Sequence, residues 1–392
     1  MSFDLDSSFN FYPMPTDLHF GHGVLGKLPE QVKSLGGNRV LVVTDEGVQR
    51  SGAVARVQRF LSDAGLEASI FAGVQADSGS GLITEATRQL VETEANVVVG
   101  IGGGSSLDTA KAVAVLAANG GSITDYVGVG KVKKKPLPVI AIPTTAGTGS
   151  EVSFWSVFTD DTKAMKVAIG GFMIYPAVAL CDPELTLSLP PLTTAATGMD
   201  ALTHAIECYT NKACQPISGT LALEAIRLIG QHLRAAVLNG EDRKARFGML
   251  LASTMAGMAM NPTRLGLAHA LAMPLGSWTL RVPHGLANAI TLPWVMRFNC
   301  LACPGRFLDI AKALGERIDR LSERQGALQA CEAVKCLAED VGIPRGLGQF
   351  GVKEEHVALI VREAMKSGNV LVNPRSTSAE NLEKILRQAL EE

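Results

Sequence analysis

The stretch NVVVGIGGGSSLDTAKAVAVLA (Asn96 to Ala117) most constrains the fold. A β-branched apolar run enters consecutive glycines and leaves as an alanine-rich helical pattern. A strand apolar at every position has to be buried on both faces, which is the condition of a parallel sheet covered by helices. The same alternation surrounds it. RVLVVTD (Arg39 to Asp45) reads as a strand, Val54 to Ala64 as a helix, and ASIFAGV (Ala68 to Val74) as a strand. A helix through Ile83 to Glu94 and a further buried strand, PLPVIAIPTT (Pro136 to Thr145), complete a βα series of Rossmann-like type.

The texture changes at Pro190-Pro191. Beyond it, long segments rich in Ala, Leu and Met carry apolar residues at spacings of three and four, the period of helices. The expected fold class is therefore α/β plus all-α. Residues 1–187 should form an α/β domain with a parallel sheet, and residues 188–392 a helical domain. A chain of 392 residues suits two domains of this size.

The glycine turn can serve a ligand. Glycines let the backbone approach closely, and the helix start that follows gathers unpaired N–H groups and positive dipole, which together suit a pyrophosphate. The fingerprint is incomplete, with Gly100, Gly102 and then Ser105, and no G-K-[ST] follows. Taken alone, such a turn is as often structural. Two companions favour a dinucleotide. Thr144 to Ser150 (TTAGTGS) brings hydroxyls and mobile backbone after another strand, and Asp45 ends the first strong strand, where it can accept from a ribose 2′-OH and repel a 2′-phosphate. NAD is thereby favoured over NADP; the competing reading of Asp45 is a turn-forming acid in T-D-E-G.

In GMDALTHAIE (Gly198 to Glu207), Asp200 and His204 share a helix face at i, i+4. The pair alone is commonly no more than a satisfied hydrogen bond. Downstream, GLAHALAMPLG supplies His269 and RVPHGLANAI supplies His284, both in apolar surroundings where an unsatisfied imidazole is costly. Three nitrogens and one oxygen suit a borderline divalent ion such as Fe(II) or Zn(II) acting on a substrate oxygen.

The segments GIGGGSSLDTAKAVA, PTTAGTGSEVS, DPELTLSLPP, TTAATGMDALTHAIE, GLAHALAMPLG and VPHGLANAI, in this order, resemble the iron-containing (group III) alcohol dehydrogenases of the dehydroquinate synthase-like superfamily. The resemblance implies NAD-linked interconversion of a short primary alcohol and its aldehyde, with Asp200, His204, His269 and His284 as metal ligands. It also implies cofactor contacts from Asp45, Gly102, Gly103, Gly104, Ser105, Thr144, Thr145, Ser150, Lys166 and Leu180, with Asp108 and Thr148 added to that set. A maleylacetate reductase is the runner-up, and a lyase like dehydroquinate synthase a more distant alternative.

One position departs from the family. Many members carry a second histidine, used in proton transfer or nicotinamide contact, where this chain has Met273, and a thioether cannot shuttle protons. The substrate-facing candidates are Trp155, Met260, Arg264, Leu265 and Met273. Arg264 is an unusual neighbour for such a site, suited to an anionic aldehyde or else to the surface; Trp155 suits pocket narrowing or core packing.

Composition excludes other partners. With 19% charged residues and a net charge of −2, nucleic acid is not expected, and Lys131–Lys135 reads as a solvated turn. No apolar run is long enough to span a bilayer, and MSFDLDSSFNFY lacks the order of a signal peptide. The seven cysteines are odd in number and scattered; Cys300 and Cys303 have no second ligand pair for zinc. The expectation is a cytoplasmic homo-oligomer with a small-molecule substrate.

Overall fold

The computed structural model of the chain describes Phe9 and residues 14 to 277 and 280 to 391; apart from Phe9, the N-terminal segment read above lies outside them. The described residues fall into two compact units, one within Pro13–Ser188 and the other within Leu189–Glu392.

The first unit holds nine strands: β1 (Asp17–Phe20), β2 (Arg39–Asp45), β3 (Glu67–Val74), β4 (Val97–Gly102), β5 (Gly128–Val129), β6 (Val139–Pro143), β7 (Trp155–Asp160), β8 (Met165–Gly170) and β9 (Val178–Cys181). Its helices are α1 (Leu28–Ser34), α2 (Glu46–Arg50), α3 (Ala53–Asp63), α4 (Ser80–Glu92) and α5 (Gly104–Asn119). Six strands make an all-parallel sheet in the order β1-β9-β6-β4-β2-β3.

The β-branched runs divide between two cores because successive side chains of a strand point to opposite faces. Val40, Val42, Val97 and Val99 pack with residues of α1 and α3, whereas Leu41, Val43 and Val98 pack with residues of α4 and α5. Each fully buried Val or Ile contributes about 1.5–3 kcal/mol, and Val97, Val98, Val99 and Ile101 are all at 0% exposure. The helix after β2 covers one face and the helix after β4 covers the other. Since β2 and β4 are neighbours, their carboxyl ends flank a topological switch point, the place where α/β sheets hold ligands.

Three departures from the sequence expectation concern strands. The four-residue β1 and β9 and the small sheet β5-β8-β7 are not anticipated, because short strands carry little periodicity and are defined by their partners. The segment Pro136 to Thr145 is strand only at Val139–Pro143, and NVVVGIGGG is strand only to Gly102, with Gly104 already helical.

The second unit is helical: α6 (Pro191–Thr210), α7 (Pro216–Leu238), α8 (Arg243–Thr263), α9 (Leu267–Leu275), α10 (His284–Asn299), α11 (Pro304–Ala313), α12 (Glu323–Asp340), α13 (Glu354–Ala364), α14 (Asn369–Val372) and α15 (Ala379–Glu391). Helix α6 is buried at every residue from Gly198 to Thr210, and it packs against α7, α8, α10 and α11. A helix buried all round belongs at the centre of its unit. Two glycines set the approach of its neighbours. A Cβ on Gly198 would stand 2.3 Å from Leu233 Cδ1 of α7, and one on Gly285 would stand 2.6 Å from the Ala196 carbonyl oxygen. Among the described residues, no helix is long and apolar enough to cross a membrane.

Candidate metal centre and nucleotide loop

Asp200 is the hub of the helical unit's polar cluster. Its Oδ1 lies 3.7 Å from His269 Nε2 and 4.0 Å from His284 Nε2, and its Oδ2 lies 3.9 Å from His204 Nδ1. Candidate ligand atoms of Asp200, His269 and His284 fall within 4.8 Å of one another. His204 stands beside it, its ring 4.4 Å from the His269 ring between centroids. Thus α6 supplies Asp200 and His204, α9 supplies His269, and the first residue of α10 supplies His284.

The electrostatics favour a charged carboxylate. Burial by itself would raise the Asp200 pKa, but the fields of His204, His284 and His269, with the Asn288 hydrogen bond, outweigh it and hold the group below the ordinary carboxylate range. His269 Nε2 is buried without a hydrogen-bond partner. One carboxylate and three imidazoles, buried at Asp200, His204 and His269 and half-buried at His284, with an unused ring nitrogen of His269 aimed at the carboxylate, fit a borderline divalent cation.

Two residues of this cluster escape the sequence reading. Asn288 Nδ2 donates to Asp200 Oδ1 at 2.7 Å and lies 3.3 Å from His284 Nε2. Glu207, only 4% exposed, accepts from the Gly266 and Ala268 backbone N–H groups and pairs with His269 Nδ1, each at 2.7 Å. Hydrogen bonds to a charged acceptor are worth about 1.5–3 kcal/mol each. The available signals were spacing: Asn288 is one helical turn past His284, and Glu207 is two turns past Asp200.

In the α/β unit, Asp45 sits at the carboxyl end of β2. Its Oδ1 accepts from Val48 N–H at 3.0 Å, capping α2, and its Oδ2 accepts from Ser106 Oγ at 3.2 Å. The turn-forming role read from sequence is thus present as the cap of α2, and the same side chain also touches the helix that follows the glycine loop. Gly102 has φ of +151°, and a Cβ there would lie 2.4 Å from Ser106 Oγ. Thr145 lies against Gly103 and Thr148 against Gly104, where a Cβ would meet Thr148 Cγ2 at 2.7 Å. Thr144 N–H donates to the Gly102 carbonyl at 2.9 Å. Gly103, the N-cap of α5, offers no side chain to the first helical amides, so this helix start suits an anionic group.

Other expected cofactor residues are engaged within the protein. Ser105 Oγ accepts from Asp77 N–H at 3.3 Å, and Lys166 Nζ pairs with Asp77 Oδ1 at 2.6 Å. Asp108 accepts from Ser150 Oγ at 2.5 Å and Val157 N–H at 2.9 Å and lies 3.3 Å from Lys111 Nζ, tying α5 to the strand β7. Lys111 is fully buried; desolvation lowers its pKa, with Asp108 offsetting part of the shift. Leu180 is at 0% exposure within the apolar core beneath the sheet.

The substrate-facing candidates are divided between the units, Trp155 in the α/β unit and Met260, Arg264, Leu265 and Met273 in the helical one. Trp155 packs its indole against Gly170 across the β7–β8 pair and lies 5.0 Å from the Phe154 ring, a packing role. Arg264 is exposed at the end of α8 with φ of +65°, and its guanidinium lies against Gly368. Met260 is buried in α8, Leu265 is half-buried, and Met273 stands half-buried one turn past His269.

A nucleotide-type switch point in one unit and a carboxylate–imidazole cluster suited to a divalent cation in the other point to a nucleotide-linked enzyme. The family comparisons agree. Residues 15–183 match the model of iron-containing alcohol dehydrogenases, and residues 194–390 match the C-terminal model of the same family. The chain belongs to the iron-containing alcohol dehydrogenase family. It is 39% identical to the NAD-dependent methanol dehydrogenase of Bacillus methanolicus, over 97% of this chain and 100% of that one. The crystal structure of a 1,3-propanediol oxidoreductase superposes with a TM-score of 0.95 at 38% identity, covering 98% of this chain and 100% of that chain. Sulfoacetaldehyde reductase from Bifidobacterium kashiwanohense, solved in complex with NAD+, superposes with a TM-score of 0.88 at 32% identity, covering 98% and 100%. These matches favour alcohol–aldehyde interconversion over the maleylacetate reductase and lyase alternatives.

Proposed function

We propose that the protein interconverts a short-chain primary alcohol and its aldehyde with NAD, using a divalent cation, Fe(II) before Zn(II), held by Asp200, His204, His269 and His284. The observation that carries this reading is the convergence of the Asp200, His269 and His284 ligand atoms within 4.8 Å in a buried setting. When bound, the cation supplies Lewis acidity toward the substrate oxygen and the nicotinamide takes or gives the hydride. Asp200 contributes the negative charge that holds a dication, and the imidazoles contribute neutral donors. Apolar residues of α6 and α9 surround Asp200, His204 and His269.

Gly102, Gly103 and Gly104 leave room for the pyrophosphate at the start of α5, with Thr144, Thr145 and Thr148 beside it. Met273 offers no proton, so release to solvent proceeds through water, the ribose hydroxyls or another side chain. Relatives named for methanol, 1,3-propanediol and sulfoacetaldehyde support a short substrate, neutral or anionic. Free thiols at all seven cysteines accord with a reducing, cytoplasmic setting; a homo-oligomer is the assembly we infer from family resemblance.

The test is chelator-stripped enzyme, re-metallated one ion at a time and assayed for NADH oxidation across neutral and anionic short aldehydes. Activity restored by Fe(II) or Zn(II) is expected; full activity of the stripped enzyme would reject the reading. Asp45→Gly should lower the NADH over NADPH preference in kcat/KM by about tenfold, the effect of losing one interaction of about 1.4 kcal/mol. Its loss as a cap costs only a few tenths of a kcal/mol, roughly, with glycine in its place. An unchanged ratio would show that Asp45 does not read the ribose.

A further inference from the structure

We infer that Glu207 is a positioning residue for the cation site, acting through His269, and that Gly266 is present to admit it. The inference rests on the reading of His269 as a ligand. Glu207 follows Asp200 by seven residues on α6, so both carboxylates lie along one face of the same helix. Their tasks differ: Asp200 Oδ1 faces Nε2 of His269 at 3.7 Å, and Glu207 Oε2 faces Nδ1 of the same ring at 2.7 Å.

Both Glu207 oxygens already accept backbone N–H groups, Oε2 from Gly266 and Oε1 from Ala268, and a carboxylate that accepts from His269 as well places the proton on Nδ1. In the neutral ring the Nε2 lone pair is then free, and that nitrogen is buried without a hydrogen-bond partner. Glu207 thereby selects the one tautomer able to bind a cation beside Asp200. It also fixes where the ring stands. Its two oxygens accept the N–H groups of Gly266 and Ala268 at 2.7 Å each, which anchors the start of α9 to α6 one residue on either side of Leu267. A Cβ at Gly266 would stand 2.8 Å from Oε1 and 2.9 Å from Cδ of Glu207, so a larger residue must displace the carboxylate.

Glu207→Gln tests this with little change of shape. Its amide cannot accept from all three donors, and where the NH2 group faces the ring, Nδ1 must become the acceptor and the proton moves to Nε2. Full-length, chelator-stripped protein is titrated with Zn(II) against a chromophoric chelator. Expected is a 10–100-fold weaker Zn(II) affinity for Glu207→Gln, the size typical of lost outer carboxylates, and a comparable loss for Gly266→Ala. In a His269→Ala background, Glu207→Gln should cause no further loss.

Equal Zn(II) affinity of wild type and Glu207→Gln, with His269→Ala clearly weaker, would overturn the role of Glu207 and leave the ligand reading standing. Equal affinity of wild type and His269→Ala would instead overturn the ligand reading. A Glu207→Gln loss that persists undiminished in the His269→Ala background would show that Glu207 acts structurally, not through the ring. Should the Glu207 variant fail to fold, the 15N shifts of the His269 ring in the metal-free wild type decide: a protonated Nδ1 is expected, and a protonated Nε2 overturns the inference.

Discussion

Asp200→Ala is expected to yield a folded protein that holds no stoichiometric divalent cation and turns over at least about a thousand times more slowly, since Lewis-acid polarisation is worth several kcal/mol and each 1.4 kcal/mol is tenfold in rate. Asp200 is the one group within 4.0 Å of all three imidazoles, and the one negative charge among the four. Without it, a dication would be left with neutral donors in an apolar setting. Metal analysis and NADH oxidation read the two losses separately. Stability gives a third reading: a ligand that binds only the folded state stabilises it, so added Zn(II) should raise the Tm of wild type and leave that of the variant unmoved. Retention of one bound ion per chain would remove Asp200 from the ligand set.

Gly102→Ala should abolish measurable NADH binding and destabilise the α/β unit by about 2–4 kcal/mol, combining backbone strain with overpacking. Gly102 has φ of +151°, and the added Cβ would press on Ser106 Oγ at 2.4 Å and approach Asp45 Oδ2 at 3.2 Å. The strain therefore falls on the contact that joins the end of β2 to the start of α5. Gly65→Ala is the control. Its φ is +72° but nothing lies within 4 Å of its Cβ position, and it precedes β3, at the amino end of the parallel strands, whereas Gly102 closes the carboxyl end of β4. It should cost about 1–2 kcal/mol for the left-handed conformation alone and leave the Kd for NADH unchanged, as read by protein fluorescence quenching. Equal effects of the two substitutions on NADH binding would show that Gly102 has no special place at the nucleotide.

What could be read from the sequence was local. The strand–glycine–helix passage around Gly102 is decided within about twenty residues, because burial on both faces requires an uninterrupted apolar run and a turn with little side-chain bulk. The pairing of Asp200 with His204 follows from helical geometry alone. His269 and His284 were legible for another reason, that imidazoles in apolar segments need partners.

The same rules were silent where the outcome depends on which segments meet. Asp108 and Lys166 belong to the expected cofactor set, and the sequence is silent about the partners that the fold gives them, Ser150 and Val157 for the first and Asp77 for the second. Glu207 lies inside the very segment that announces the metal site, but its partners Gly266, Ala268 and His269 come from a helix about sixty residues away. The chain by itself determined the two kinds of secondary structure, the place of the glycine turn and the residue types able to hold a cation, since each depends on short-range periodicity and on the cost of burying polar groups. Only the tertiary structure decided which carboxylate faces which nitrogen of His269, because a hydrogen bond between α6 and α9 exists only once both helices are packed.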